Sequence, residues 1–235
     1  MRELYGGTRM RRSARLALAD GWPILLSVLV VGLTYGVVAR QAGFALLEIS
    51  ATSWIIFAGA SQFVAIELLR GGAGAGTVII AAFLINLRHL LMATALRRHF
   101  ADRPLLQRLG IGYLLTDEAF AMAVGWYRRG GAGVAYYVSF GAALWLVWNV
   151  ATVAGALASD RIAEPRRLGI DFAITASFLS IVALSVRGRA DMLVALLAAG
   201  AAAALAVAGA SFVAVIGAGA LAPLALFALP RGDRR

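Results

Sequence analysis

Long apolar runs alternate with short polar segments along this chain of 235 residues. The runs without a charged residue are 21–39, 49–66, 71–87, 130–159, 172–186 and 192–230. A helix needs about 20 apolar residues to cross the hydrocarbon core of a bilayer. The pattern therefore predicts a bundle of membrane helices. The last run is too long for one helix and is expected to turn near 208–211.

We predict eight hydrophobic helical segments. They cover roughly 21–39, 47–69, 74–97, 110–127, 133–158, 168–187, 190–208 and 211–229. The predicted fold class is an all-α polytopic membrane protein with about seven or eight transmembrane or re-entrant helical segments. One integral membrane domain would cover 1–235, with a basic arm at 1–20, a helical bundle at 21–229 and a tail at 230–235.

The composition supports a membrane protein and excludes other classes. Hydrophobic residues make up 61% of the chain and charged residues 14%, whereas soluble domains carry about 25% charged residues. The net charge is +10 and every basic residue is arginine. Arginine in loops and at helix ends is typical of membrane topology rather than of nucleic-acid binding. The chain has no cysteine and two histidines, so neither disulfides nor a metal centre or other cofactor is predicted.

The distribution of arginine predicts that both termini lie in the cytoplasm. If all eight segments crossed the membrane, Arg70 would share that side, but one arginine-rich loop would lie outside. Its arginines are Arg97, Arg98, Arg103 and Arg108. Either segment 74–97 or segment 110–127 does not cross fully, or this loop folds over the protein. Because segment 110–127 is short and contains two acidic residues, it could be a half-helix or re-entrant hairpin.

The sequence also predicts how the helices pack. Gly32 and Gly36 form a small-xxx-small pattern, which favours close contact between membrane helices. In addition, Gly36 and the run 57–59 are matched at equal spacing by Gly155 and 176–178. Transporters are often built from two repeats with the site at their interface, so two structural repeats are a hypothesis for this fold.

Charges and amides interrupt the apolar segments in the runs 57–63 (FAGASQF), 86–89 (NLRH) and 115–118 (LTDE). A charge inside the bilayer is costly, so it usually faces a partner or a watery cavity and marks a transport or relay path. Together these runs resemble those of the AzlC/YgaZ-type family, the large subunits of branched-chain amino acid permeases. The resemblance implies export of amino acids across the inner membrane, together with a small AzlD-type membrane subunit.

The candidates for binding substrate are Arg88, Gln62, Ser61, Gly59 and Asn86. The Arg88 guanidinium is always charged and presents a planar fork of donors. It could hold a substrate carboxylate or pair with a carboxylate of the protein. The Gln62 amide must find partners inside a span, whereas Gly59 could instead serve helix packing. The family often has aspartate where this chain has Asn86, which argues against a proton-carrying role at that position.

The candidates for coupling transport to protons are Asp117, Glu118 and His89. Neighbouring positions on a helix point about 100 degrees apart, so the two acids are expected to differ in role. One would pair with Arg88 and the other would carry the coupling proton. His89 could relay protons or bond a backbone carbonyl. Thr116 is expected to cap a half-helix that starts at this point.

The resulting prediction is a proton-coupled secondary transporter of the bacterial inner membrane, not an enzyme, that exports branched-chain and similar apolar amino acids. Its predicted partners are the AzlD-type subunit, the amino acid and the lipid bilayer, with no nucleic acid. Two alternatives remain open. One is an intramembrane serine hydrolase that uses Ser61 and His89, which would have to lie within hydrogen-bond reach of each other. The other is a passive channel for small solutes.

Overall fold

The computed structural model describes residues 2–159, 161, 186 and 188–209. All regular structure in these ranges is helical, which confirms the predicted all-α class. The helices are α1 (Arg2–Gln41), α2 (Leu46–Ile55), α3 (Gly59–Arg70), α4 (Ala75–Asn86), α5 (Arg88–Phe100), α6 (Leu105–Tyr113), α7 (Asp117–Arg128), α8 (Ala135–Ser159) and α9 (Arg189–Val207). The chain forms two compact units, Met1–Ile174 and Thr175–Arg235, and the first contains α1 to α8.

Three of the predicted segments correspond directly to observed helices. Segment 133–158 is α8, segment 190–208 is α9, and segment 21–39 is the second half of α1, which also includes most of the predicted arm. Other predictions lie outside the described residues, apart from residue 186: segments 168–187 and 211–229, the repeat positions 176–178 and the tail 230–235.

The core of the first unit is the parallel pair α1 and α8. At the middle of α1 and the start of α8, the Tyr136 hydroxyl donates to Asp20 Oδ2 at 2.7 Å. Near their ends, the Ser159 hydroxyl donates to the Val37 carbonyl at 3.5 Å. We call the end of the bundle marked by Asp20 and Tyr136 the arm end, and the end marked by Val37 and Ser159 the far end.

Glycine allows α1 and α8 to approach closely, as the sequence pattern predicts. A Cβ at Gly36 would collide with the Thr152 carbonyl, and a Cβ at Gly155 would collide with the Leu33 carbonyl. Both collisions are with backbone, which cannot rotate aside. Close backbone contact through small residues is a common way to hold membrane helices together. The α1/α8 pair is therefore the tightly packed centre of the first unit.

The apolar segment 47–69 does not cross the bundle as one helix. It breaks at 56–58, where Phe57 has a positive φ of 42°. Gln62 Nε2 in α3 donates to Ser53 Oγ in α2 at 3.3 Å, although a straight helix would separate these positions by about 13 Å along its axis. The chain therefore bends sharply at the break, and α2 and α3 form a hairpin.

The direction of this hairpin follows from the helices after it. Asn86 Nδ2 at the end of α4 donates to Ser61 Oγ near the start of α3 at 3.1 Å, so these neighbouring helices are antiparallel. α5 follows α4 through Leu87, which keeps helical angles, and it ends where the rings of Phe100 and Tyr137 are 5.4 Å apart. α4 and α5 thus run toward the arm end, α3 runs toward the far end, and the α2/α3 hairpin enters from the far end.

The α6/α7 hairpin enters from the opposite side, the arm end. The Tyr137 hydroxyl at the start of α8 donates to the Ile111 carbonyl in α6 at 2.9 Å. After a break at 114–116, α7 returns, and Arg129 Nη2 just beyond it lies 3.2 Å from Asp20 Oδ2. The predicted segment at this place is therefore two short helices, in agreement with the half-helix interpretation.

This topology corrects the prediction for the arginines. Because the α2/α3 hairpin returns to the far end, Arg70 lies there rather than beside the N-terminal arm. The arginine-rich loop between α5 and α6 lies at the arm end instead, where His99 stacks on Tyr127 with ring centroids 3.6 Å apart. The conflict between this loop and the rest of the chain disappears once 47–69 is a hairpin.

In the described chain, three helical stretches are long and apolar enough to cross a membrane: Met10–Gln41, Ala75–Phe100 and Ala135–Ser159. The first and third belong to the parallel pair, and the second combines α4 with α5. The two hairpins lie between them. Broken elements at membrane depth are tolerated only where protein or a water-filled cavity covers them, so their tips are the place to look for a site.

Candidate functional site

The tips of the two hairpins meet inside the bundle. The rings of Phe57, in the α2/α3 tip, and Tyr113, beside the α6/α7 tip, are 6.1 Å apart. The Tyr113 hydroxyl also donates to the Trp54 carbonyl in α2. A helix starts immediately after each tip, so the N-termini of α3 and α7 both lie in the interior.

The interruption between α4 and α5 is the third element of the site. The Leu90 N–H bonds the Leu87 carbonyl at 3.0 Å, so the Asn86 carbonyl loses its usual helical donor. His89 Nδ1 takes that place at 3.0 Å. A carbonyl can only accept, so Nδ1 carries the proton. His89 therefore bonds a backbone carbonyl, which is one of the two alternatives predicted from the sequence. Its role as a proton relay stays a prediction.

A chain of polar side chains connects the α2/α3 tip to α7. The Ser61 hydroxyl donates to the Ala58 carbonyl at 2.9 Å and accepts from Asn86. Arg88, just past the helix break, pairs with Asp117, with Nη2 and Oδ2 2.9 Å apart. The structure thus brings four of the predicted site residues together from three separate elements, and the ion pair is one that the sequence suggested.

This polar chain has unused hydrogen-bonding capacity. Among the described residues, buried Asn86 Oδ1 has no donor and buried Arg88 Nε has no acceptor. Such atoms are uncommon, since buried polar groups are nearly always bonded. The Arg88 and Asp117 side chains are 36% and 37% exposed, so the described chain covers the pair only in part. A free donor and a free acceptor therefore lie two positions apart at a place that is only partly covered.

α7 starts with a capped and acidic first turn. The Ala119 N–H donates to Thr116 Oγ1 at 3.2 Å, as the predicted cap requires. Asp117 and Glu118 follow, at the end of the helix where negative charge is favourable with the dipole. Glu118 is half-buried and forms no hydrogen bond or ion pair with a described residue. The two acids thus differ, one being paired and the other unpaired.

Gly59 and Gln62 face away from this chain. A Cβ at Gly59 would come within 2.9 Å of the Trp148 ring in α8, so this glycine makes room for an indole. Gln62 bonds Ser53, and its buried Oε1 has no partner in the described part of the chain. The structure shows helix packing for Gly59, and the substrate contacts of both residues stay predictions.

Sequence analysis missed the buried polar cluster around Gln62. The Tyr35 hydroxyl and Thr52 Oγ1 are 2.9 Å apart, and Tyr35, Ser53 and Gln62 are at most 1% exposed. The only available signal was a pair of small polar residues in an apolar run. Such residues often bond their own backbone, so they did not point to a tyrosine on another helix.

The pair required by the serine hydrolase alternative is not formed. The Ser61 hydroxyl donates to the Ala58 carbonyl, and His89 Nδ1 donates to the Asn86 carbonyl. A nucleophile must lie within hydrogen-bond reach of its base to be activated. Nothing in the described residues favours this alternative over transport.

Apolar helices long enough to span a membrane, with broken helices that meet at an ion pair, define a polytopic membrane protein with a polar site at the tips of its hairpins. The family model described as AzlC protein matches residues 23–162, which include both hairpins and the helix break. The chain belongs to the AzlC family, as the three motifs predicted. No solved structure matches the chain.

Individual relatives agree with this assignment. The inner membrane protein YgaZ of Escherichia coli (strain K12) is 28% identical over 196 residues, 78% of each chain. An uncharacterized membrane protein of Archaeoglobus fulgidus is 30% identical over 178 residues, 74% of this chain and 77% of the relative. The branched-chain amino acid transport protein AzlC of Bacillus subtilis (strain 168) is 24% identical over 160 residues, 68% of this chain and 62% of the relative.

Proposed function

We propose that this protein is the large subunit of a secondary transporter that exports branched-chain and similar apolar amino acids across the bacterial inner membrane, driven by protons. The observation that carries the proposal is the Arg88–Asp117 ion pair, 2.9 Å long, at the meeting point of two hairpin tips and a broken helix. Charged residues at such interruptions mark substrate and ion paths. The similarity to a branched-chain amino acid transport protein supports the substrate class.

An amino acid zwitterion needs donors for its carboxylate and an acceptor for its ammonium group. Arg88 Nε is the free donor. α3 adds the backbone N–H groups of its first turn, because Ala58 at its N-cap has no side chain to bond them. Helix N-termini favour bound anions. Asn86 Oδ1 is the free acceptor, so both ends of the zwitterion find partners within one short stretch.

Export that is driven by the inward proton gradient requires that the proton and the substrate occupy the site alternately. A free carboxylate permits this, since it holds either a proton or an ammonium group. Glu118, next in the chain, has no partner among the described residues, whereas Asp117 is paired with Arg88. We therefore assign the coupling proton to Glu118. In the other scheme, the substrate carboxylate displaces Asp117 from Arg88, and Asp117 takes up a proton. The substrate and the proton would then cross the membrane in the same direction.

The arginines give the orientation within this proposal. The loop between α5 and α6 and the turn after α7 lie at the arm end together with the N-terminal arm. The arginines in these segments and in the helix turns beside them are Arg2, Arg9, Arg11, Arg12, Arg15, Arg97, Arg98, Arg103, Arg108, Arg128 and Arg129. Short basic loops stay on the cytoplasmic side, so the arm end is cytoplasmic. The α2/α3 hairpin then opens toward the periplasm and the α6/α7 hairpin toward the cytoplasm.

Reconstitution tests the proposal. Purified protein in liposomes, with and without the expected AzlD-type subunit, is assayed for counterflow of labelled leucine, valine, isoleucine and methionine. Arg88→Gln keeps an N–H donor but shortens the side chain and removes the charge, and we expect it to abolish counterflow. The matched control is Arg70→Gln, because Arg70 pairs with Glu67 at 3.6 Å on an exposed surface at the far end.

The outcomes separate the site from the function. Normal counterflow by Arg88→Gln would contradict the assigned site. No counterflow of any of these amino acids by the parent protein, even with the small subunit, would contradict the function itself. Loss of counterflow in both arginine variants would indicate a general effect of charge on the fold rather than a role at position 88.

A further inference from the structure

Four aromatic side chains join the two hairpin tips to α8. Trp54 and Phe57 come from the α2/α3 hairpin, Tyr113 from α6 and Trp145 from α8. The rings of Trp54 and Trp145 are 5.1 Å apart in an edge-on arrangement, and those of Phe57 and Tyr113 are 6.1 Å apart. We call this group the aromatic cluster. Through it, the far-end hairpin contacts the arm-end hairpin.

The Tyr113 hydroxyl is the polar centre of the aromatic cluster. It accepts from Trp145 Nε1 at 2.7 Å and donates to the Trp54 carbonyl. Trp54 is in the last turn of α2, where carbonyls have no donor from their own helix. Tyr113, in the α6/α7 hairpin, thus supplies a donor to the C-terminal end of α2 in the other hairpin. The bond from Trp145 in α8 fixes the orientation of the Tyr113 hydroxyl.

The backbone of the α2/α3 tip is strained. Phe57 is the one residue other than glycine with a positive φ in the part of the chain that the structure describes, at 42°. A bulky side chain disfavours this region because of its Cβ. Such strained turns persist where neighbouring groups hold them, and they recur in switch regions. The ring of Phe57 lies 6.1 Å from that of Tyr113, so the aromatic cluster is one of the contacts that support the turn.

We propose that Tyr113 is a latch that holds the two hairpin tips together and thereby keeps Ser61, near the start of α3, buried. When the Tyr113–Trp54 bond breaks, the strained tip is free to relax and the hairpins part. This inference concerns access to the site and goes beyond the choice of substrate and coupling ion. It would hold for any solute that the site accepts.

The test measures access without relying on transport. The chain has no cysteine, so a single Ser61→Cys reports on the interior, where Ser61 is 1% exposed. In proteoliposomes, the rate of labelling by N-ethylmaleimide follows the open fraction. Tyr113→Phe removes only the hydroxyl. One such bond contributes about 1 kcal/mol, so we expect labelling about fivefold faster. Trp145→Phe should act in the same direction.

The matched control is Tyr127→Phe, which removes a tyrosine hydroxyl that donates to the Gly133 carbonyl at 3.0 Å, away from the tips. We expect its labelling rate to equal that of the parent. Unchanged labelling in both Tyr113→Phe and Trp145→Phe would overturn the proposal, as would an equal rise in Tyr127→Phe. Because the readout is thiol labelling, these outcomes stand whether or not the protein transports amino acids.

Discussion

The two hairpins use the same backbone device with opposite chemistry. α3 starts at a tip that is apolar and strained, and its N-cap Ala58 offers no side-chain bond. α7 starts at a tip capped by Thr116, with Asp117 and Glu118 in the first turn. A helix N-terminus carries a partial positive charge. No side chain caps this positive end in α3, whereas in α7 the protein's own carboxylates already lie beside it.

This contrast assigns a different task to each hairpin. A substrate carboxylate gains most at α3, where backbone N–H groups are free, and least at α7, where it would meet like charge. Arg88 lies between them and is paired with the α7 side through Asp117. We therefore propose one hairpin for binding the substrate anion and one for exchanging the proton.

The largest expected effect separates the two acids of α7. Glu118→Gln removes the unpaired carboxylate, and we expect proton-driven export to fall at least about a hundredfold while leucine counterflow persists. Asp117→Asn leaves the Arg88 charge without its partner, so for this variant we expect both export and counterflow to fall. Parallel assays of export under an imposed pH gradient and of counterflow decide this. If Glu118→Gln lost both activities equally, the proton would not be assigned to Glu118.

The next effect concerns packing at the α2/α3 tip. Gly59→Ala places a methyl group 2.9 Å from the Trp148 ring, and overpacking of this kind typically costs about 1–3 kcal/mol. We expect a lower melting temperature in a thermal-shift assay in detergent. The control is Gly76→Ala in α4, where a Cβ would meet nothing within 4 Å. Equal melting temperatures for the two variants would show that the tip is loosely packed.

The smallest effects test the caps themselves. Thr116→Ala removes a cap and should cost about 1 kcal/mol of stability. Ala58→Ser adds a cap to α3 and should be neutral or stabilising. Because the new hydroxyl would occupy an N–H group assigned to the substrate, the apparent KM for leucine should rise about two- to fivefold. An unchanged KM in Ala58→Ser would remove the α3 N-terminus from the binding site.

The sequence was sufficient where the determinants are local. The break before α7 could be predicted because Thr116, Asp117 and Glu118 form a helix start inside an apolar segment. The close contact of the first helix was likewise predictable from Gly32 and Gly36. In both cases the residues that determine the structure lie within a few positions of the feature.

The α2/α3 hairpin could not be predicted for the opposite reason. Segment 47–69 is apolar and long enough to cross a membrane, and nothing at 56–58 reads as a helix terminator. The turn depends on contacts from distant parts of the chain, with Tyr113 on the Trp54 carbonyl and Trp148 against Gly59. The arginine-rich loop was the one indication in the sequence that not every predicted segment crosses the membrane.

The direction of the α2/α3 hairpin is tested most directly by the sidedness of two loops. In the cysteine-free chain, Gly74→Cys marks the loop between α3 and α4, and Ala101→Cys marks the loop after α5. Both positions are exposed. In intact cells, a membrane-impermeant maleimide should label Gly74→Cys at once, and Ala101→Cys only after permeabilisation. The reverse pattern, in a protein whose N-terminal arm is cytoplasmic, would show that 47–69 crosses the membrane as a single helix, and the two tips could not meet.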